Sequence, residues 1–170
     1  MVYSDSPGEG ASFMIIKRIS ITMSLLVMMS ACSGPDETAD IPEAQPAGAT
    51  SADIGEFVVH FSAQSTDQLP PDVARTYNIV RSKNRAMLTV SVLQAADNKP
   101  VTAIVTVKTV NLTGQLKNIT MRQVNEGEAI YYIGEVTIAN RETLIFDIGV
   151  TPDGVEKASD VRFKRQFFSD

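Results

Sequence analysis

Along residues 56–168, apolar and polar side chains alternate with a period of two. In "RAMLTVSVL" (85–93), Leu88, Val90 and Val92 fall on one side, and Met87, Thr89 and Ser91 on the other. "VTAIVTVKT" (101–109) repeats the pattern, with Val101, Ala103, Val105 and Val107 set against Thr102, Thr106 and Lys108. "AIYYIGEVTI" (129–138) puts Ile130, Tyr132, Val136 and Ile138 on one face, and "TLIFDIGV" (143–150) does the same with Leu144, Phe146, Ile148 and Val150. Side chains on successive strand residues point to opposite faces, so this pattern predicts half-buried strands. "EFVVHFS" (56–62), "QLKNITMRQV" (115–124) and "DVRFKRQFF" (160–168) complete a set of seven. Turn-forming stretches separate them: "DNKP" (97–100), "NLTG" (111–114), "NEGE" (125–128), "ANRE" (139–142) and "PDGVEKASD" (152–160). Seven short strands with regular turns predict an all-β fold, an immunoglobulin-like antiparallel β-sandwich over residues 54–170. "LPPDVARTYNI" (69–79) departs from the period. Its prolines and early Asp72 predict one short helix from Pro71 to Tyr77, crossing between the first two strands.

Upstream of residue 54 the pattern is of another kind. Lys17 and Arg18 precede an apolar run, Ile19–Met29, and then the small residues Ser30 and Ala31. That order is the order of an export signal. From Ile19 to Ala31 the run is 13 residues, while a membrane-spanning helix needs about 20. "MSAC" (29–32) resembles the bacterial lipobox and ends on the chain's only cysteine. The resemblance implies a signal peptide over 14–31, cleavage before Cys32, a diacylglyceryl group on its thiol, and an acyl chain such as palmitate on the new amino terminus. Several acyl chains together anchor stably where one would be marginal. Ser33 after the cysteine implies sorting to the outer membrane rather than retention in the inner one, in a Gram-negative cell. Residues 1–13 read either as an over-long start ahead of Met14 or as a genuine extension.

Charge sharpens this division. Asp36, Glu37, Asp40, Glu43 and Asp53 give residues 33–53 a charge of -5 with no Lys or Arg, and Pro35, Pro42 and Pro46 interrupt the stretch. Lacking aromatic residues and rich in Pro, Ala and Gly, it cannot bury enough apolar surface to offset its ordering entropy. Residues 32–53 are therefore expected to be a lipidated, disordered acidic tether reaching about 25 Å. From Ile54 onward there are 13 basic and 13 acidic residues. A neutral domain has no excess of positive charge for phosphate backbones, which argues against nucleic acid as a partner. With no cysteine after Cys32 there is no disulfide, and the domain rests on its hydrophobic core.

Chemistry-bearing residues are sparse. His60 is the only histidine, on the strand face of Val58 and Ser62. One His without a domain Cys is a poor start for a metal site, and no GxSxG nucleophile turn is present. No catalytic residue, metal site or cofactor is assigned. "RSKNR" (81–85) is the densest polar cluster. Arg81, Lys83 and Arg85 could grip a carboxylate, a phosphate or an acidic partner loop, with Asn84 closing the turn. Charge runs are usually solvated, so the favoured reading is structural, a loop whose arginines tie down neighbouring carbonyls. Tyr131 and Tyr132 take opposite faces. Tyr132 belongs to the core, and Tyr131 joins Arg81, Lys83, Asn84 and Arg85 as a candidate binding patch.

The domain resembles the bacterial family known as domain of unknown function 4426. The resemblance rests on "GEFVVHF" (55–61), "YNIVRSKNRAMLTVSVL" (77–93), "NLTGQ" (111–115), "EGEAIYYIGE" (126–135), "ETLIFDIGVTPDG" (142–154) and "QFFSD" (166–170). It covers nearly all of 54–170 and implies an exported single β-sandwich with no assigned activity. Two functions are carried forward. The first is a non-enzymatic binding or accessory module, lipid-anchored at the periplasmic face of the outer membrane, meeting an envelope protein or small ligand. The alternative is an envelope hydrolase using His60 or a carboxylate pair.

Overall fold

The computed structural model describes residues 48–169. The expectations placed on residues 1–47, the signal peptide and Cys32 among them, lie outside the described residues. Within them the chain forms β1 (Ser51–Ile54), β2 (Phe57–Ser65), a 3-10 turn (Thr66–Gln68), helix α1 (Pro71–Thr76), β3 (Arg85–Gln94), β4 (Ala103–Asn111), β5 (Leu116–Lys117), β6 (Arg122–Glu126), β7 (Ala129–Thr137), β8 (Thr143–Pro152) and β9 (Ser159–Gln166).

The strands make two antiparallel sheets, ordered β1-β2-β3-β7-β6 and β5-β4-β8-β9. Lettering β2 to β9 in turn as A, B, C, C′, D, E, F and G gives ABED in one sheet and C′CFG in the other, which is the immunoglobulin-like order. The period-two pattern is carried through faithfully. β8 alternates over its whole length, with Leu144, Phe146, Ile148 and Val150 fully buried. Val59, Leu88, Val90 and Val92 meet them from the other sheet, also fully buried. Each such side chain contributes about 1.5–3 kcal/mol by leaving water. Phe163 of β9 bridges the layers, stacked on Phe61 of β2 at 4.6 Å and on its cross-strand partner Phe146 at 4.9 Å. Tyr132 of β7 is buried as expected, and its hydroxyl accepts the Ala103 amide at 2.7 Å, tying one sheet to the other.

The structure corrects the sequence reading in two places. The sandwich begins at Ser51, because β1 pairs with β2 from Ser51↔His60 to Ile54↔Phe57. Residues 51–53 therefore belong to an edge strand and not to the tether. Secondly, "QLKNITMRQV" is not one strand. β5 pairs with β4 in one sheet and β6 pairs with β7 in the other. Residues 118–121 carry the chain across, and they pass so close to Gly134 of β7 that a Cβ there would lie 2.6 Å from the Met121 sulfur and 3.0 Å from the Thr120 carbonyl oxygen. The missing side chain at Gly134 makes room for the change of sheet.

Candidate binding groove

Sequence spacing at 69–79 gives α1 an apolar side. Pro71 at the first helical turn and Asp72 beside it start the helix, and Tyr77 closes it by donating its backbone N–H to the Val73 carbonyl oxygen. The segment lies against the outer face of the five-stranded sheet. Leu69, Ala74 and Ile79 pack with Met87 of β3 and Ile133 of β7 into a second small core, flanked by Val73, Tyr77, Val124 and Tyr131. The outer face that the alternation marks as polar is therefore partly roofed. Met87 owes its burial to the helix and not to the sandwich interior.

Beside the helix an open groove remains. An apolar pocket of about 150 Å³ is lined by Val73 and Tyr77 of the helical segment, Met87 and Thr89 of β3, Val124 and Glu126 of β6, and Tyr131 and Ile133 of β7. Thr89 and Tyr131 also line the next depression, of about 250 Å³, together with Thr50, His60, Ser62 and Ser91. The groove thus passes from an apolar end to a row of hydroxyls and one imidazole. Its position follows from register: His60 faces Ser91, Ser62 faces Thr89, Thr89 faces Ile133, and Tyr131 faces Val124.

The edge of the apolar pocket is fastened from β6. The Tyr77 hydroxyl donates to the Glu126 carboxylate, and this bond, followed by desolvation, raises the tyrosine above its ordinary pKa. The Arg122 guanidinium donates to the Tyr77 carbonyl oxygen.

The residues singled out from sequence do not gather in one place. Arg81 donates to the Asp67 carbonyl oxygen at 2.6 Å, and Arg85 pairs with Glu135 of β7 at 3.0 Å. Asn84 accepts the Ile138 amide at 3.0 Å and donates its own to the Ser82 hydroxyl at 3.1 Å. Thr66, fully buried, holds the same loop through Val80 and Ser82. Lys83 is exposed on this loop. Tyr131 lies elsewhere: Arg85 faces Thr137 on β7, and Tyr131 is six steps along the strand from Thr137, about 20 Å. The loop and the tyrosine are separate surfaces. His60 is exposed, and the side chains lining its depression are hydroxyls, Phe61 and Tyr131, with no carboxylate. Among the described residues no group of three or more His, Cys, Asp and Glu side chains stands close enough to hold a metal.

Sequence reasoning missed Val73, Tyr77, Thr89, Val124, Glu126 and Ile133 as site residues. The signal available was the Val73–Tyr77 spacing of four, which sets both on one helix face, and the large apolar Met87 on an otherwise polar strand face.

Comparison with known proteins agrees with this architecture. A crystal structure of a DUF4426 family protein from Pseudomonas aeruginosa is 34% identical, covering 71% of this chain and 94% of that one at a TM-score of 0.62. FetP from uropathogenic Escherichia coli strain F11, solved as a copper-bound variant and in its as-isolated form, is 11% identical with TM-scores of 0.52 and 0.51, and shares the fold. These alignments cover 71% of this chain and 95% and 93% of the FetP chains. No curated protein matches the chain in sequence. The family model for DUF4426, a domain of unknown function, matches residues 51–170, and the chain belongs to that family.

Proposed function

We propose that this protein is an exported, lipid-anchored binding module of the bacterial envelope, without catalytic activity, and that the groove beside α1 is its binding surface. Export and anchoring rest on the signal-like run 14–31 and on Cys32 behind it. FetP, recombinantly produced in the periplasm, has the same fold, which suits a folded module in that compartment. The observation that carries the binding role is the groove itself: an apolar pocket built by a short helix on a sheet face, opening onto hydroxyl-bearing side chains. Concave, mostly apolar sites with a few polar groups are the usual form of a ligand site. Copper is not carried over from FetP, since identity of 11% speaks for the fold alone.

A photo-crosslinking side chain at Thr89, in the groove, tests this reading against one at Ile104, which is exposed on β4 of the other sheet. The proposal expects adducts in the native envelope from Thr89 and none from Ile104. Equal labelling from both positions, or turnover of envelope material that His60→Ala abolishes, would replace it, the latter with the hydrolase reading.

A further inference from the structure

The apolar end of the groove has a chemistry of its own, and its interpretation rests on the binding role proposed above. Two tyrosines, Tyr77 and Tyr131, line it together with the apolar side chains of Met87, Val124 and Ile133. The one charged residue lining it is Glu126. Glu126 is exposed and stands beside the Tyr77 hydroxyl. An ionised carboxylate has about four acceptor sites, so this one can receive a further donor. Glu128 follows on the same β6–β7 turn, and no Lys or Arg occurs between Arg122 and Arg141. Arg122, two positions before Val124 on β6 and opposite Ile133, lines a neighbouring depression that shares Met87 and Ile133 with this pocket, and its guanidinium is bonded to the Tyr77 carbonyl oxygen. The lining therefore carries a single charge, the Glu126 carboxylate, among aromatic and aliphatic side chains and the Thr89 hydroxyl. Aromatic rings attract organic cations, and an apolar floor accommodates a hydrocarbon body.

We infer that this pocket binds a small organic cation with a hydrocarbon body, an alkyl- or arylammonium, its ammonium at Glu126 and its body between Tyr77 and Tyr131. A volume of about 150 Å³ suits one side-chain-sized group.

The test is a nitrogen-15 NMR titration of the purified full-length chain with n-hexylammonium, hexan-1-ol and hexanoate in parallel. The ammonium is expected to shift the amides of Val73, Thr89, Val124, Glu126 and Tyr131. It should bind about fivefold tighter than the alcohol, the worth of a carboxylate contact and a cation–π contact at a partly exposed site. Glu126→Gln keeps an oxygen for the Tyr77 hydroxyl and should remove the carboxylate's share of that advantage, narrowing the gap between ammonium and alcohol while leaving the alcohol unchanged. Alcohol and ammonium binding alike in the native chain would overturn the cation assignment while leaving the groove as a binding surface. So would an unaltered ammonium affinity in Glu126→Gln with an otherwise native spectrum. An absence of shifts in the pocket with all three probes would overturn both this inference and the groove's role.

Discussion

Gly134 shows how one residue type can decide the path of a whole segment. The crossing residues 118–121 occupy the place its side chain would take, with the Thr120 carbonyl oxygen 3.0 Å from a built Cβ and the Ile119 Cγ1 2.9 Å away. Backbone on one side and a packed isoleucine on the other leave little room to give. Gly134→Ala is expected to lower stability by about 1–3 kcal/mol, the usual cost of overpacking, read as a drop in urea midpoint. An unchanged midpoint would mean that the 118–121 segment is free to move. The sequence contained this glycine inside a strand pattern, which is a sign of close backbone approach. Nothing in the sequence identified the neighbour. Fully buried aliphatic positions such as Leu88 and Ile148 were legible because alternation alone decides their face. Tyr77 and Glu126 were not, because their bond joins the helical segment to a strand 49 residues further on.

Among the elements, β2, β3, β4, β7, β8 and β9 were legible as strands, and α1 as a helix. The strand patterns are long enough to establish a period, and the prolines and Asp72 mark the helix. β1 was not: its four residues lie next to the acidic, proline-rich stretch and share its composition. β5 and β6 merged in the reading because the polar and apolar order runs on through the crossing. The two residues of β5 are held in place partly from outside their own ladder. Lys117 pairs with Glu142 at 2.9 Å, with both side chains mostly buried. Glu142 also accepts from the Asn111 side chain at 3.1 Å and the Ala139 amide at 2.8 Å. Burial pushes the Glu142 pKa upward, but the hydrogen bonds from Lys117, Asn111 and Ala139, with the Lys117 charge, outweigh it and leave the group below its ordinary value of 4.5. A carboxylate depressed in the folded state stabilises above its unfolded pKa, and that stabilisation is lost as pH falls through the folded one. Glu142→Gln should therefore be less stable than the native chain at pH 7, with the gap narrowing below about pH 4.5 in urea unfolding followed against pH. A gap constant across that window would show that the charge of Glu142 does not matter to the fold.

At the scale of the molecule, the class of fold followed from periodicity and turns, and the immunoglobulin-like strand order agrees with it. The binding surface did not follow. A groove on a sheet face depends on where a connection lies down, and the sequence places α1 between two strands without saying which face it covers. The charged loop 81–85 drew notice by composition, yet Arg81 and Arg85 are engaged with Asp67 and Glu135. Display on a membrane through Cys32 is the claim on which the rest of the account turns, since it determines what the groove can meet. The most direct test is the intact mass of the protein from separated inner and outer membranes, beside a Cys32→Ala variant. The account predicts a mature chain beginning at Cys32 and carrying lipid, found in the outer membrane, with both the lipid and the membrane fraction lost in the variant. A native protein recovered soluble and without lipid would contradict it.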